Sequence, residues 1–112
     1  MTFKGNNELA VHVADPVRAA EFYVSVMGCE VVSSTPECIE LTSGALRLFL
    51  LADNELQHES VVPSFTVPDR AKALESLQEA GCKLVPIGPH APGEQYVRDP
   101  NGVLFDVTER QE

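Results

Sequence analysis

Apolar and polar residues alternate along Glu8–Ala14, and the alternation stops at Asp15-Pro16. Alternation is the period of a half-buried strand. Asp followed by Pro suits a helix start: the carboxylate caps exposed N–H groups, and the proline lacks an N–H that would otherwise go unpaired. The apolar positions then shift to helical spacing, at Val17, Ala20, Val24 and Met27. This predicts a helix to about Met27, ended by a left-handed Gly28. Three strand-like runs follow at Cys29–Ser33, Cys38–Thr42 and Ala45–Leu51, separated by turns at Thr35-Pro36 and Ser43-Gly44. The first half of the chain therefore reads βαβββ.

Asp53–Ser60 is polar and aperiodic and marks a linker. After it the pattern repeats. Residues 11–32, VHVADPVRAAEFYVSVMGCEVV, correspond to residues 65–85, FTVPDRAKALESLQEAGCKLV. Val13 and Asp15 match Val67 and Asp69, Ala19 matches Ala73, and Gly28-Cys29 matches Gly81-Cys82 after a one-residue deletion. The second helix starts at Asp69 and places Leu74, Leu77, Gln78 and Gly81 on one face. Strands at Val62–Val67, Cys82–Ile87, Gln95–Arg98 and Val103–Thr108 complete a second βαβββ unit. Its last two strands are joined by Asp99-Pro-Asn-Gly102, in which Asn-Gly can supply the positive φ of a tight turn. Two copies of one supersecondary unit direct the search for the fold to the pairing of units. Each short sheet carries a helix on one face, and two such sheets edge to edge make a trough.

Composition narrows the function classes. A chain of 112 residues, 44% of them apolar, is a globular domain rather than a disordered one. The segment MTFKGNNEL has no apolar signal-peptide core, and no apolar run has the length of a membrane span, so a cytoplasmic protein without a membrane partner is expected. The net charge of −9 argues against nucleic acid, which needs a surplus of Lys and Arg, and fits a small-molecule or protein partner. Cys29, Cys38 and Cys82 form no CxxC pair and read as buried, reduced thiols.

Val13-Ala-Asp15 followed by Glu21-Phe-Tyr23 and Met27-Gly28, together with the closing Arg98-Asp-Pro-Asn-Gly102, resembles the vicinal oxygen chelate superfamily. This is the glyoxalase I, bleomycin-resistance and extradiol-dioxygenase group, and the resemblance runs from Glu8 to Glu109. It implies an α+β fold, in which two βαβββ modules form an open, eight-stranded, barrel-like mixed sheet with the helices outside. One domain then covers residues 1–112, with module one at 8–52, a linker at 53–61 and module two at 62–109. It also implies a homodimer, to which open strand edges lend themselves. The scaffold hosts many reactions, so function has to come from the site.

Carried onto this sequence, the superfamily's metal positions fall on Glu8, Leu48, Val62 and Asp106. The usual set there is His or Gln with His and Glu, whereas this chain offers two carboxylates. A catalytic divalent metal takes about three protein ligands. No metal or other cofactor is therefore expected; if an ion is held, Glu8 and Asp106 hold it. Strand parity adds Ala10 and His12 to the Glu8 face, Ser64 and Thr66 to Val62, and Leu104 and Thr108 to Asp106. Asp106 is expected to face the trough because its neighbour Phe105 needs the helix-packed side. Leu46, Leu48 and Leu50 read as an apolar wall opposite. The resemblance makes Tyr96 a ligand-facing residue. The expected ligand contacts are thus Glu8, Ala10, His12, Leu48, Val62, Ser64, Tyr96 and Asp106. Glu8, Asp106 and Tyr96 are the candidates for any proton transfer, with His12 as an alternative acid, because two facing carboxylates cannot both ionise cheaply. His58 and His90 read as surface histidines.

Three readings stay open. The first is a metal-independent small-molecule-binding protein of the bleomycin-resistance-like type. The second is a divalent-metal-dependent lyase, isomerase or dioxygenase. The third is a regulatory or interaction module with no ligand.

Overall fold

A computed structural model describes residues 1–53, 55, 61–89, 91–100 and 103–110. The elements in chain order are β1 (Lys4–Val13), α1 (Pro16–Ser25), β2 (Glu30–Ser34), β3 (Cys38–Ser43), β4 (Leu46–Ala52), β5 (Val61–Val67), α2 (Arg70–Glu79), β6 (Lys83–Pro86), β7 (Gln95–Arg98) and β8 (Leu104–Glu109). The strands run in the order β2-β3-β4-β1-β5-β8-β7-β6, a mixed sheet that does not close on itself. With two helices this is the α+β fold of two βαβββ repeats. Among the described residues no helix is long and apolar enough to cross a membrane. The chain divides into two compact units. The first is Asn7–Val62, and the second joins Met1–Asn6 to Pro63–Glu112. His58, His90 and the Asn101-Gly102 half of the predicted turn lie outside the described residues.

In the first unit β1 runs parallel to β4, while β3 is antiparallel to both β4 and β2. Helix α1 is capped as expected: Asp15 Oδ1 accepts the Arg18 N–H at 3.2 Å, and Pro16 occupies the first turn. It stops at Ser25, two residues before the expected end, and Gly28 takes φ 75°. The Cys29 N–H then bonds the Tyr23 carbonyl at 3.0 Å. Its counterpart in the second unit is tighter. There Gly81 takes φ 99°, Cys82 N–H bonds Leu77 O at 2.9 Å, and Gly81 N–H bonds Gln78 O at 3.1 Å. Those two bonds are a Schellman closure. The one residue by which the copies differ is spent in this helix exit.

The core of the first unit is Val11, Ile39, Leu41, Leu50, Ala20 and Cys29, with Val13, Ala19, Tyr23 and Leu48 packed around it. The expected apolar stripe of α1 is only partly the one used. Ala20 is buried, but Val17, Val24 and Met27 are 51%, 39% and 59% exposed. The helix lies mainly over β3 and β4 and sets its small alanines on the sheet. That brings the backbones close and leaves the valines beside the uncovered edge strand β2, whose five residues are all exposed.

In the second unit β5 runs parallel to β8, and β7 is antiparallel to both β8 and β6. Asp69 caps α2 through the Lys72 N–H at 3.1 Å. Ala73 is fully buried in a cluster with Val67, Val97 and Val107, surrounded by Phe3, Leu74, Leu77 and Phe105. Strand β1 begins at Lys4, four residues before the expected start. Lys4–Asn7 has no alternating apolar residues, so periodicity could not reveal it. Side-chain hydrogen bonds hold it instead: the Asn6 amide donates to Ser64 Oγ and Thr66 Oγ1, each at 2.9 Å.

Candidate functional site

In the first unit the parallel register sets Glu8 beside Arg47, Ala10 beside Phe49 and His12 beside Leu51. Side chains alternate along a strand, so these six share one face. The expectation of an apolar wall at Leu46, Leu48 and Leu50 on that face is therefore corrected. Leu48 stands opposite Leu9, and Leu48 and Leu50 pack into the α1 core. A one-residue offset in register exchanges the two faces, and β4 carries apolar residues on both, at Leu48 and Leu50 as well as Phe49 and Leu51, so its own pattern does not choose between them.

Arg47 organises this face. Its Nη1 lies 3.0 Å from Glu8 Oε1, and its Nη2 lies 2.8 Å from Glu40 Oε2. Nε donates to the same Glu40 oxygen at 2.9 Å. The guanidinium carbon sits 5.2 Å from the centre of the Phe49 ring. The Glu8 and Glu40 side chains are mostly buried, at 17% and 14% exposed, while Arg47 keeps 36%. Cys38 and Glu40 lie on this face too, opposite Leu51 and Phe49. Burial pushes the Cys38 thiol above its ordinary pKa, and the Glu40 carboxylate pushes it further. Arg47, Glu40 and Phe49 were not singled out from sequence. The available signal was the one charge interrupting the apolar run Leu46–Ala52.

His12 is almost wholly buried, with Nδ1 3.4 Å from Asp53 Oδ2. Asp53, a linker residue by its sequence pattern, thus reaches back to β1. Val62 is fully buried.

The second unit has its own polar face. Ser64 stands opposite Asp106 and Thr66 opposite Thr108. Ser64 Oγ donates to Asp106 Oδ2 at 3.3 Å, and the Thr66 and Thr108 hydroxyls are 3.2 Å apart. Val97 pairs with Phe105, so Tyr96, one step along β7, falls on the face that carries Asp106, and it is buried. Phe105 packs on the α2 side. Asn6, absent from the sequence reading, joins this network through Ser64.

These residues do not fit a catalytic divalent ion. Leu48 and Val62 have no donor atoms, Leu48 belongs to the other face, and the neighbour of Glu8 is a permanent cation. Among the described residues no group of three or more His, Cys, Asp or Glu side chains could hold a metal.

The sequence pattern of a glyoxalase-like domain matches residues 8–108. No curated protein matches the chain. Among solved structures, a glyoxalase/bleomycin resistance protein/dioxygenase superfamily member from Vibrio splendidus 12B01 is similar with a TM-score of 0.68 at 19% identity, covering 97% of this chain and 100% of that one. A Streptomyces coelicolor methylmalonyl-CoA epimerase variant, in complex with 2-nitronate-propionyl-CoA, is similar with a TM-score of 0.67 at 18% identity, covering 96% of this chain and 95% of that one. At such identities the likeness is one of fold.

Proposed function

This chain belongs to the glyoxalase-like domain family, and from that premise we propose that it binds a small organic molecule without the superfamily's usual metal. The observation that carries the reading is the placement of Arg47 between Glu8 and Glu40. A divalent ion at Glu8 would have to displace or face a guanidinium, with strong repulsion in a half-buried setting. Two carboxylates on one guanidinium leave a single net negative charge beside Phe49, Ala10 and Leu51. A half-apolar surface with a few polar anchors is the general character of a small-molecule site. Its charge suits a ligand that is cationic or rich in hydrogen-bond donors. Ser64, Tyr96 and Asp106 form the corresponding polar face of the second unit, also acidic. A structure of the same fold, the methylmalonyl-CoA epimerase variant, was captured with 2-nitronate-propionyl-CoA, which supports ligand binding as a use of this scaffold.

The test is elemental mass spectrometry on untagged protein, before and after incubation with Mg²⁺, Mn²⁺, Fe²⁺, Ni²⁺ and Zn²⁺. A thermal-shift screen against organic cations and neutral metabolites runs beside it. The expected outcome is no retained ion and a higher melting temperature with a cation, since a ligand at about 100 times its Kd stabilises by about 2.7 kcal/mol. Retention of about one ion per chain, the stoichiometry of a built catalytic site, would sink the proposal.

A further inference from the structure

The second unit holds a cavity on its helix-packed side, away from the face that carries Ser64 and Asp106. Its volume is about 320 Å³. Phe65 and Phe105 form its floor as an edge-to-face pair, with centroids 5.6 Å apart and planes at 89°. Phe3, Pro63 and Leu77 of α2 wall it, and Val103 and Asp99 stand at one end.

Three aromatic rings and a carboxylate around one opening are more than a packing defect requires. A void left by imperfect packing is apolar throughout. Here Asp99 is among the lining residues, and both its backbone and its carboxylate are hydrogen-bonded to Val103 beside it. The Asp99 N–H bonds Val103 O at 2.9 Å, and Asp99 Oδ1 accepts the Val103 N–H at 3.0 Å. Among the described residues that line the cavity, Asp99 alone is charged. The volume lies at the small end of the range of about 300–1,000 Å³ for ligand sites. Aromatic rings favour both apolar groups and cations.

We propose that this cavity binds a small amphiphilic organic cation, its aryl or alkyl body against Phe3, Phe65 and Phe105 and its ammonium at Asp99. The site is separate from the Glu8–Arg47–Glu40 face and does not depend on the function proposed for that face. A neutral or anionic analogue of the same shape gains the apolar contacts but not the charge pairing.

The probes are 4-phenylbutylamine, 4-phenylbutanol and 4-phenylbutyrate, titrated into the full chain by calorimetry and by NMR of the aromatic rings. The amine is expected to bind tighter than the alcohol, and the alcohol tighter than the carboxylate. Nuclear Overhauser contacts should run from its phenyl group to Phe65 and Phe105. Asp99→Asn keeps the turn acceptor and should weaken the amine about tenfold, the size of one lost charge-assisted contact, with little effect on the alcohol. Val103→Trp fills the cavity from a half-exposed position and should abolish binding of both. Glu30→Gln, on the exposed edge strand β2 of the first unit, should change neither. Equal affinity for amine and carboxylate, Overhauser contacts elsewhere, or no binding of the amine at millimolar concentration would overturn the proposal. The wild-type contacts decide it even if a variant fails to fold.

Discussion

Arg47 stands directly beside Glu8 on the neighbouring parallel strand, and its guanidinium reaches the Glu8 carboxylate at 3.0 Å. The same guanidinium bonds Glu40 on β3, so three strands are tied by one side chain. Two mostly buried carboxylates share this one guanidinium. This couples the stability of the first unit to the chemistry available on that face.

Removing the cation should therefore cost more than an exposed ion pair would. Arg47→Ala is expected to destabilise the protein by about 1–3 kcal/mol, the range for removing a charged hydrogen-bond donor from mostly buried carboxylates. Urea unfolding should show a lower midpoint with an unchanged slope. Adding Glu40→Gln to Arg47→Ala should recover part of the loss, because one of the two adjacent carboxylates is then neutral. No loss in the single variant would show that the three groups are independently solvated.

Leu50 and Val24 separate core from surface where hydropathy does not. Leu50 is completely buried, and Leu50→Ala should cost about 2–5 kcal/mol as a core truncation. Val24, on the α1 stripe, is 39% exposed, and Val24→Ala should stay within about 0.5 kcal/mol. Equal losses in urea unfolding would mean that α1 turns its valine stripe to the sheet.

The Cys38 thiol is held protonated by burial and, secondarily, by the Glu40 carboxylate. Alkylation by iodoacetamide requires the thiolate. In the native protein its rate should thus rise with a midpoint above the ordinary thiol value, and Glu40→Gln should lower that midpoint. The linked stability has a definite sign. A raised thiol pKa favours the folded state fully below the unfolded pKa, and this contribution is lost as pH rises through the folded pKa. Peptide mapping distinguishes Cys38 from Cys29 and Cys82. A midpoint at or below the ordinary value would contradict the placement of Cys38 beside Glu40.

Local signals carried the elements. The βαβββ repeat, the caps at Asp15 and Asp69, and the left-handed Gly28 are written in short stretches of sequence, because capping and periodicity act within a few residues; Gly81, expected on a face of α2, instead leaves the helix at φ 99°. The parity that sets Ser64 and Thr66 on one face of β5 is equally local. The strand at Lys4–Asn7 was not legible, since it is held by the Asn6 amide reaching residues about sixty positions away.

By itself, then, the sequence determined which segments are strands and helices and which residues of a strand point the same way. Tertiary structure decided which strand faces meet. It placed Arg47 rather than Leu48 beside Glu8, and it turned Ala20 rather than Val17 and Val24 onto the sheet. The reason is physical. A strand's alternation has two possible registers against a distant neighbour, and a helix with apolar residues on two sides has two possible faces. Only the packing of the whole core distinguishes them.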